Sequence, residues 1–250
     1  MQTDMKKRIS ILIIMVVCAF MSVRAQQPQS AGESGIATVV SVPTSEWLGS
    51  FDKIYISGAM QVTLIRIPQT EGPKIYFDTK GSLTTKFKYE VDKKRQLNVI
   101  ETVDSKRTTV TEVKIYYNDI SSLTVSGANV TVEQMMDVDM LDLSVSGGAT
   151  MRAKVDVLDL AMEVTGRSSV VIEGKARYMS LKVSTAKFDA VNLQTMATIV
   201  DASHGAEVSL FVTERLEATT ATSANITYKG KPSIVRIHSS LFGGGILPVE

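Results

Sequence analysis

Five aspartates, Asp137, Asp139, Asp142, Asp156 and Asp159, form the constellation in this chain best suited to chemistry. Asp137 and Asp156 stand 19 positions apart, the period of a repeat in this region, so they are predicted to stack on adjacent turns about 5 Å apart. Carboxylates at that distance can supply oxygen ligands to Ca²⁺, or the acid and base of glycoside hydrolysis. The competing reading is a solvated strand face. Asp139 and Asp142 alternate with apolar residues, and Lys154 and Lys175 provide counter-charges nearby. The second reading is adopted, and no catalytic, cofactor-binding or metal-ligating residue is assigned.

Other reactive side chains are few. His204 and His238 are the two imidazoles, the first inside a turn phrase, where it reads as solvent-facing, and the second beside Ser239-Ser240 at the end of the last strand pattern; neither is read as a ligand or a base. No HExxH, GxSxG, phosphate-cradling glycine loop or SxxK set occurs where it would matter. Cys18 is the single cysteine and lies in the N-terminal apolar run. Val17 before it and Ala19-Phe20-Met21 after it argue against lipid attachment. Ser144, Ser146, Thr165, Ser168, Ser180, Ser184 and Ser203 are predicted to point outward, where hydroxyls can meet a sugar, a peptide strand or one another. No Tyr or Phe occurs between Asn118 and Arg177, and Trp47 reads as a cap over the first turn rather than a sugar-stacking site.

The elements that would position these groups follow from a repeated phrase. Val125-Ser126-Gly127-Ala128-Asn129 recurs as Val145-Ser146-Gly147-Gly148-Ala149, Val164-Thr165-Gly166-Arg167-Ser168 and Val183-Ser184-Thr185-Ala186-Lys187, with weaker copies from Ala202 and Ala221. The steps between markers are 20, 19, 19, 19 and 19. A fixed period of this size means stacked coils, none of which can bury its apolar face alone. Leu123, Leu143, Met162 and Leu181 fall in register before the corner, and Val130, Met151, Val170, Phe188 and Val208 after it. Period-2 alternation turns these inward, while glycine at the corner supplies positive φ. The fold predicted is an all-β, right-handed single-stranded parallel β-helix with coils of about 19–20 residues, ranked above an antiparallel sandwich. A charge at Leu143 or Leu181 is expected to be ruinous, and one at Asp142 or Lys182 nearly silent. In the first half, Phe87–Val91 and Gln96–Ile100 flank Asp92-Lys93-Lys94-Arg95 as a hairpin excursion.

The ends bound the domain. Residues 1–25, with Lys6-Lys7-Arg8 before an apolar run and small residues at Val23 and Ala25, read as a signal peptide. Residues 26–45 read as a polar linker, 46–238 as the β-helical domain and 239–250 as a C-terminal tail that either covers the last coil's open edge or docks a partner. Removing residues 1–25 takes away Lys6, Lys7, Arg8, Arg24 and Asp4, leaving 23 basic and 25 acidic residues of the original 27 and 26. Without a basic excess, neither nucleic acid nor an anionic membrane surface is an expected partner, and no membrane insertion is expected once the signal is removed.

Phe51-Asp52-Lys53-Ile54-Tyr55-Ile56-Ser57-Gly58-Ala59-Met60-Gln61-Val62-Thr63-Leu64, followed by the corner phrases at Leu123–Gly127 and Leu141–Gly147, is similar to the GIN domain family of autotransporter-adhesin head domains, common in exported proteins of Bacteroidota. The resemblance runs from about Trp47 to Ile237. It implies a β-helical fold and an adhesin-like role in the periplasm or at the cell surface. The diluted corners Arg167-Ser168 and Thr185-Ala186-Lys187 depart from the family's small-residue pattern. The function expected is therefore non-catalytic binding of a glycan or envelope protein through coil faces or edges, with homo-oligomerisation a variant. The alternative is a β-helical polysaccharide lyase or hydrolase.

Overall fold

Seventeen strands and no α-helix occur among the described residues, which in this computed structural model are 43–81, 86–102, 108–240, 242 and 244–249. The signal segment 1–25 and residues 26–42 of the linker lie outside them. The described residues belong to the unit Val39–Glu250. The long strands follow the repeat: β10 (Met136–Ser146), β11 (Thr150–Thr165), β12 (Ser169–Ser184), β13 (Lys187–Ser203) and β14 (Glu207–Thr220). Each pairs in parallel with the next, as in Leu141↔Leu160, Leu160↔Met179 and Leu181↔Val200. The result is a parallel β-solenoid of about seven turns, as the period predicts.

Every long strand breaks its alternation before the pre-corner half and ends in a sharp corner. At Leu158-Asp159 and again at Arg177-Tyr178, two consecutive side chains are exposed, which breaks the alternation and folds the strand around the core. Each coil thereby contributes a post-corner half and a pre-corner half, and the inward columns from both meet in one apolar core. All the inward positions named from the sequence are buried. Thr198 takes the place of Leu160 and Met179 in one column. Its hydroxyl lies 2.8 Å from that of Thr195, so the polar substitute is satisfied.

The corners form a second ladder. Gly127 N–H donates to Ser146 O (3.1 Å), Gly148 N–H to Gly166 O (2.8 Å) and Arg167 N–H to Thr185 O (2.7 Å), each to the next coil. Where glycine is absent, Arg167, Thr185 and His204 themselves take φ of 62°, 55° and 53°. Inside the bend, Ala128, Ala149, Ala186, Ala206 and Ala224 are buried at equivalent positions. Ser168 belongs to this set. It is buried rather than outward, and its hydroxyl donates to Thr165 O at 2.6 Å. The last marker also slips: Ala202 pairs with Thr220, not Ala221, because β13 and β14 change register between Thr195 and Ala197.

The first half departs from simple succession. β2 (Lys53–Ser57) and β3 (Met60–Arg66) form a turn that lies between two later ones. On one side are β6 (Gln96–Glu101) and β7 (Thr111–Tyr117), and on the other β8 (Ser122–Ser126) and β9 (Asn129–Val132). The predicted hairpin exists, with β5 (Phe87–Val91) antiparallel to β6. Yet its second strand is a member of the stack rather than part of an excursion. β4 (Lys74–Asp78) runs antiparallel to β7, and β1 (Thr44–Trp47) antiparallel to β4. These antiparallel strands close one end of the stack. The aromatic cluster there is Phe77, Phe87 and Tyr89, with centroids 4.7–6.0 Å apart. Trp47 is instead 73% exposed and does not plug the core.

At the opposite end, β15 (Asn225–Lys229) pairs with β14 and β17 (Ile246–Pro248), and β16 (Ile234–Ser239) pairs with β14. All six residues of β16 are exposed.

Candidate binding surfaces of the solenoid

The outward side of each strand inherits the same 19-residue register, so outward residues also form columns. Asp137 and Asp156 are register partners, and Lys175 follows Asp156 on the next coil. The carboxylate pair is therefore real, but it is solvent-exposed and continued by a cation. Lys154 is drawn to Glu173 at 3.4 Å. Among the described residues no group of three or more His, Cys, Asp or Glu is arranged to hold a metal ion. Asp139, Asp142 and Asp159 are exposed and do not converge with that pair.

His204 lies in a corner, its Nδ1 3.2 Å from Ser184 Oγ and 3.0 Å from Ser203 Oγ. These are neighbouring corner hydroxyls, and the contact serves the corner ladder. His238 is exposed on β16 beside Thr219. Lys182 sits between Glu163 and Asp201 in one outward column. A negative charge there would meet two like charges, so the expectation of silence at this position is corrected. Asp142, flanked by Ser122 and Ala161, has no such neighbours.

What the sequence reading passed over is apolar. On the pre-corner face, Met140 (66% exposed), Tyr178 and Ile199 (53% exposed) project outward around the small side chains of Ala161, Ser180 and Ala197. Together they line a recess of about 410 Å³. A second recess of about 310 Å³ adjoins it over Ser122, Thr124 and Ser144, and the two share Asp142, Ala161 and Ser180. The combined groove crosses at least four coils. Ala161 and Ser180 form the floor in one column, which Ile199 continues on the next coil, while Met140 and Tyr178 rise from the neighbouring column that also holds Ala197. Arg215 ends it, held by Glu217, which Arg236 also contacts at 3.0 Å. The Arg215 guanidinium holds the Glu217 carboxyl below the usual carboxylate range. The signal for this groove was present as Met140, Tyr178 and Ile199 at outward phase, hidden because isolated outward apolar residues are common on any surface.

The diluted corners also form a shallow recess of about 400 Å³, lined by Arg167, Thr185 and Lys187 among others. Lys187 is engaged there by Glu207 at 2.7 Å.

The sequence profile of the family described as "putative auto-transporter adhesin, head GIN domain" matches residues 50–232. No curated protein sequence matches the chain. Among solved structures, a putative adhesin of Bacteroides fragilis NCTC 9343 shares the fold, with a TM-score of 0.75 at 17% identity over 84% of this chain and 96% of that one. A putative adhesin of Parabacteroides merdae ATCC 43184 gives a TM-score of 0.66 at 18% identity, over 84% and 96%. A protein of Parabacteroides distasonis ATCC 8503 described as a putative lipid binding protein gives 0.65 at 15% identity, over 84% and 97%.

Proposed function

We propose that this chain, which belongs to the head GIN domain family of auto-transporter adhesins, is an exported, non-catalytic envelope protein that binds a glycan or protein partner along its pre-corner face. The observation that carries this reading is the outward groove walled by Met140, Tyr178 and Ile199. A rigid stack holds these side chains in fixed positions across several coils, which lowers the ordering cost of binding an elongated partner. Two aspartates, Asp142 and Asp159, line the recess from different columns of the face.

An apolar chain as occupant is a second reading, supported by the groove's large apolar side chains and by the description of the Parabacteroides distasonis relative. The test is a glycan-array screen of the purified full chain, with light scattering on the same sample and lipid extraction from it. Saturable binding to one glycan or protein class, lost in Tyr178→Ala and Ile199→Asp, is the expected result. Co-purifying lipid lost in the same variants would move the assignment to the second reading. Binding indifferent to both substitutions would refute the groove. Turnover of uronic-acid polymers abolished by Asp137→Ala with Asp156→Ala would install the enzymatic alternative.

A further inference from the structure

The outer face of the cap sheet β1–β4–β7 carries a pattern found nowhere else among the described residues. Across these strands Trp47 pairs with Lys74 and Lys74 with Tyr116, while Ser45 pairs with Tyr76 and Tyr76 with Lys114. Rings and ammonium groups therefore alternate along the strands and across them. Lys74 Nζ lies 5.6 Å from the Trp47 ring centre and 4.5 Å from that of Tyr116, and Lys114 Nζ lies 5.9 Å from Tyr76. A Cβ added to Gly72 would sit 3.4 Å from Trp47 Cε3, so the indole rests against the backbone of the β3–β4 connection. The residue is nonetheless 73% exposed.

Charge sets this surface apart. Asp78 and Glu112, the nearest carboxylates on the same face, are both engaged by Lys80, at 2.9 and 3.2 Å. Neither Lys74 nor Lys114 has a carboxylate within 4.0 Å among the described residues. The face is thus cationic as well as aromatic. An exposed cation–π contact contributes only about 0.5–1 kcal/mol, less than burying an indole would, so internal clamping is a weak reason to hold Trp47 in solvent on an edge strand. Edge strands are ordinarily blunted by charge or proline.

Two properties define the complementary ligand. A wholly apolar partner would have to strip water from two uncompensated ammonium groups. A plain anion would make no use of the rings. A sugar acid satisfies both demands: the C–H face of its ring packs on an aromatic face, whose quadrupole is negative, and its carboxylate meets an ammonium. Trp47 and Tyr116 are separated by two strand spacings, roughly 9.6 Å, about the reach of a disaccharide.

We infer that this face is a binding platform for an acidic glycan, with uronate rings stacked on Trp47 and Tyr116 and their carboxylates on Lys74 and Lys114. The site lies on β1, β4 and β7, none of which lines the pre-corner groove, and stands or falls separately from it.

The test is calorimetric titration of the purified full chain with an oligogalacturonate, with a neutral galacto-oligosaccharide of equal length, and with inorganic polyphosphate, at low and high salt. The oligogalacturonate is expected to bind with an affinity that falls as salt rises, and the other two to bind at least tenfold more weakly. Lys74→Gln with Lys114→Gln, and separately Trp47→Ala, are expected to weaken oligogalacturonate binding roughly tenfold. Lys114→Gln alone, on an exposed side chain, guards against misfolding and should retain part of that loss at an unchanged melting temperature. Tyr178→Ala in the groove should leave this binding intact. Absent oligogalacturonate binding, native affinity in the double lysine variant, or equal affinity for polyphosphate would each overturn the assignment.

Discussion

Gly174 is the position where the close approach of two coils can be measured most directly. It lies on β12 opposite Val155 of β11, with φ +114°. A Cβ placed there would come 2.0 Å from Val155 O, 3.1 Å from its carbonyl carbon and 3.2 Å from its nitrogen. All three atoms are backbone of the parallel ladder, so no side chain can rotate away. Gly174→Ala must push the two coils apart or turn the peptide. Either movement disturbs about two ladder hydrogen bonds at about 1 kcal/mol each, and alanine at that φ costs a further 1–3 kcal/mol.

The expected loss is about 3–5 kcal/mol, equivalent to a fall in melting temperature of about 10 °C for a chain of this size. Gly148→Ala is the matched control. Its φ is +75° and nothing lies within 4 Å of the added Cβ, so it should lose only the about 1–2 kcal/mol of left-handed strain. Urea unfolding followed by far-UV circular dichroism measures both, with hydrogen exchange on β11 and β12 as a local readout, since stacked coils need not unfold in one step. A Gly174→Ala loss no greater than that of Gly148→Ala would refute the claim that inter-coil backbone contact, rather than turn conformation, selects glycine at this site.

Two further perturbations probe the core and its edge. Leu181→Asp places a charge in a fully buried column and should abolish folding, whereas Lys182→Asp stacks a third acid between Glu163 and Asp201 and should cost about 0.5–1 kcal/mol, less at high salt; urea midpoints at two ionic strengths separate them. Burial pushes the Tyr117 hydroxyl up to about 12 from 10.0, and that hydroxyl is buried without a hydrogen-bond partner. Its folded-state pKa is the higher one, so folding stability is at its full value below pH 10 and is lost as pH rises towards 12, because the unfolded chain ionises first. Tyr117→Phe should therefore gain about 1 kcal/mol at neutral pH and flatten the alkaline decline in the urea midpoint. Part of that decline will persist, because burial and then Glu46 raise Tyr89 to about 12 as well.

The regular coils were legible because one number governs them. A 19-residue period with two alternating halves determines inward columns, corner positions and outward columns together, and Leu143, Met162, Leu181 and Val170 fell where that logic put them. Ser168 was misread by residue type, although its place in the phrase matches the buried Ala149; position outranks polarity when the hydroxyl can bond Thr165 O within its own turn. The slip at Thr220 comes from register changes in β13 and β14, where one strand bulges against the other. No local pattern in sequence reports such a slip. The binding surfaces were least visible. Trp47, Lys74 and Tyr116 lie on three strands far apart in the chain, and only their antiparallel pairing brings them onto one face.

That pairing follows from the one turn that is out of order. β2 and β3 are the first strands of the parallel stack along the chain, yet they take the second place in it, covered by β6–β7 on one side and β8–β9 on the other. Their apolar face cannot be completed until residues as distant as Val132 have joined, so this end forms as one cooperative block with a larger loop-closure cost than any later coil. From β10 onward each coil needs only its predecessor. The block is then sealed by β1, β4 and β5, whereas the other end finishes on β16, with every side chain exposed, and on the three-residue β17. A solenoid built this way has one closed, interlocked end and one open end that needs only local unpairing to loosen. The aromatic–lysine face lies on the closed end. Rings and charges that must hold a spacing of several ångströms against a stiff polymer are best carried where the backbone beneath them has the fewest ways to move.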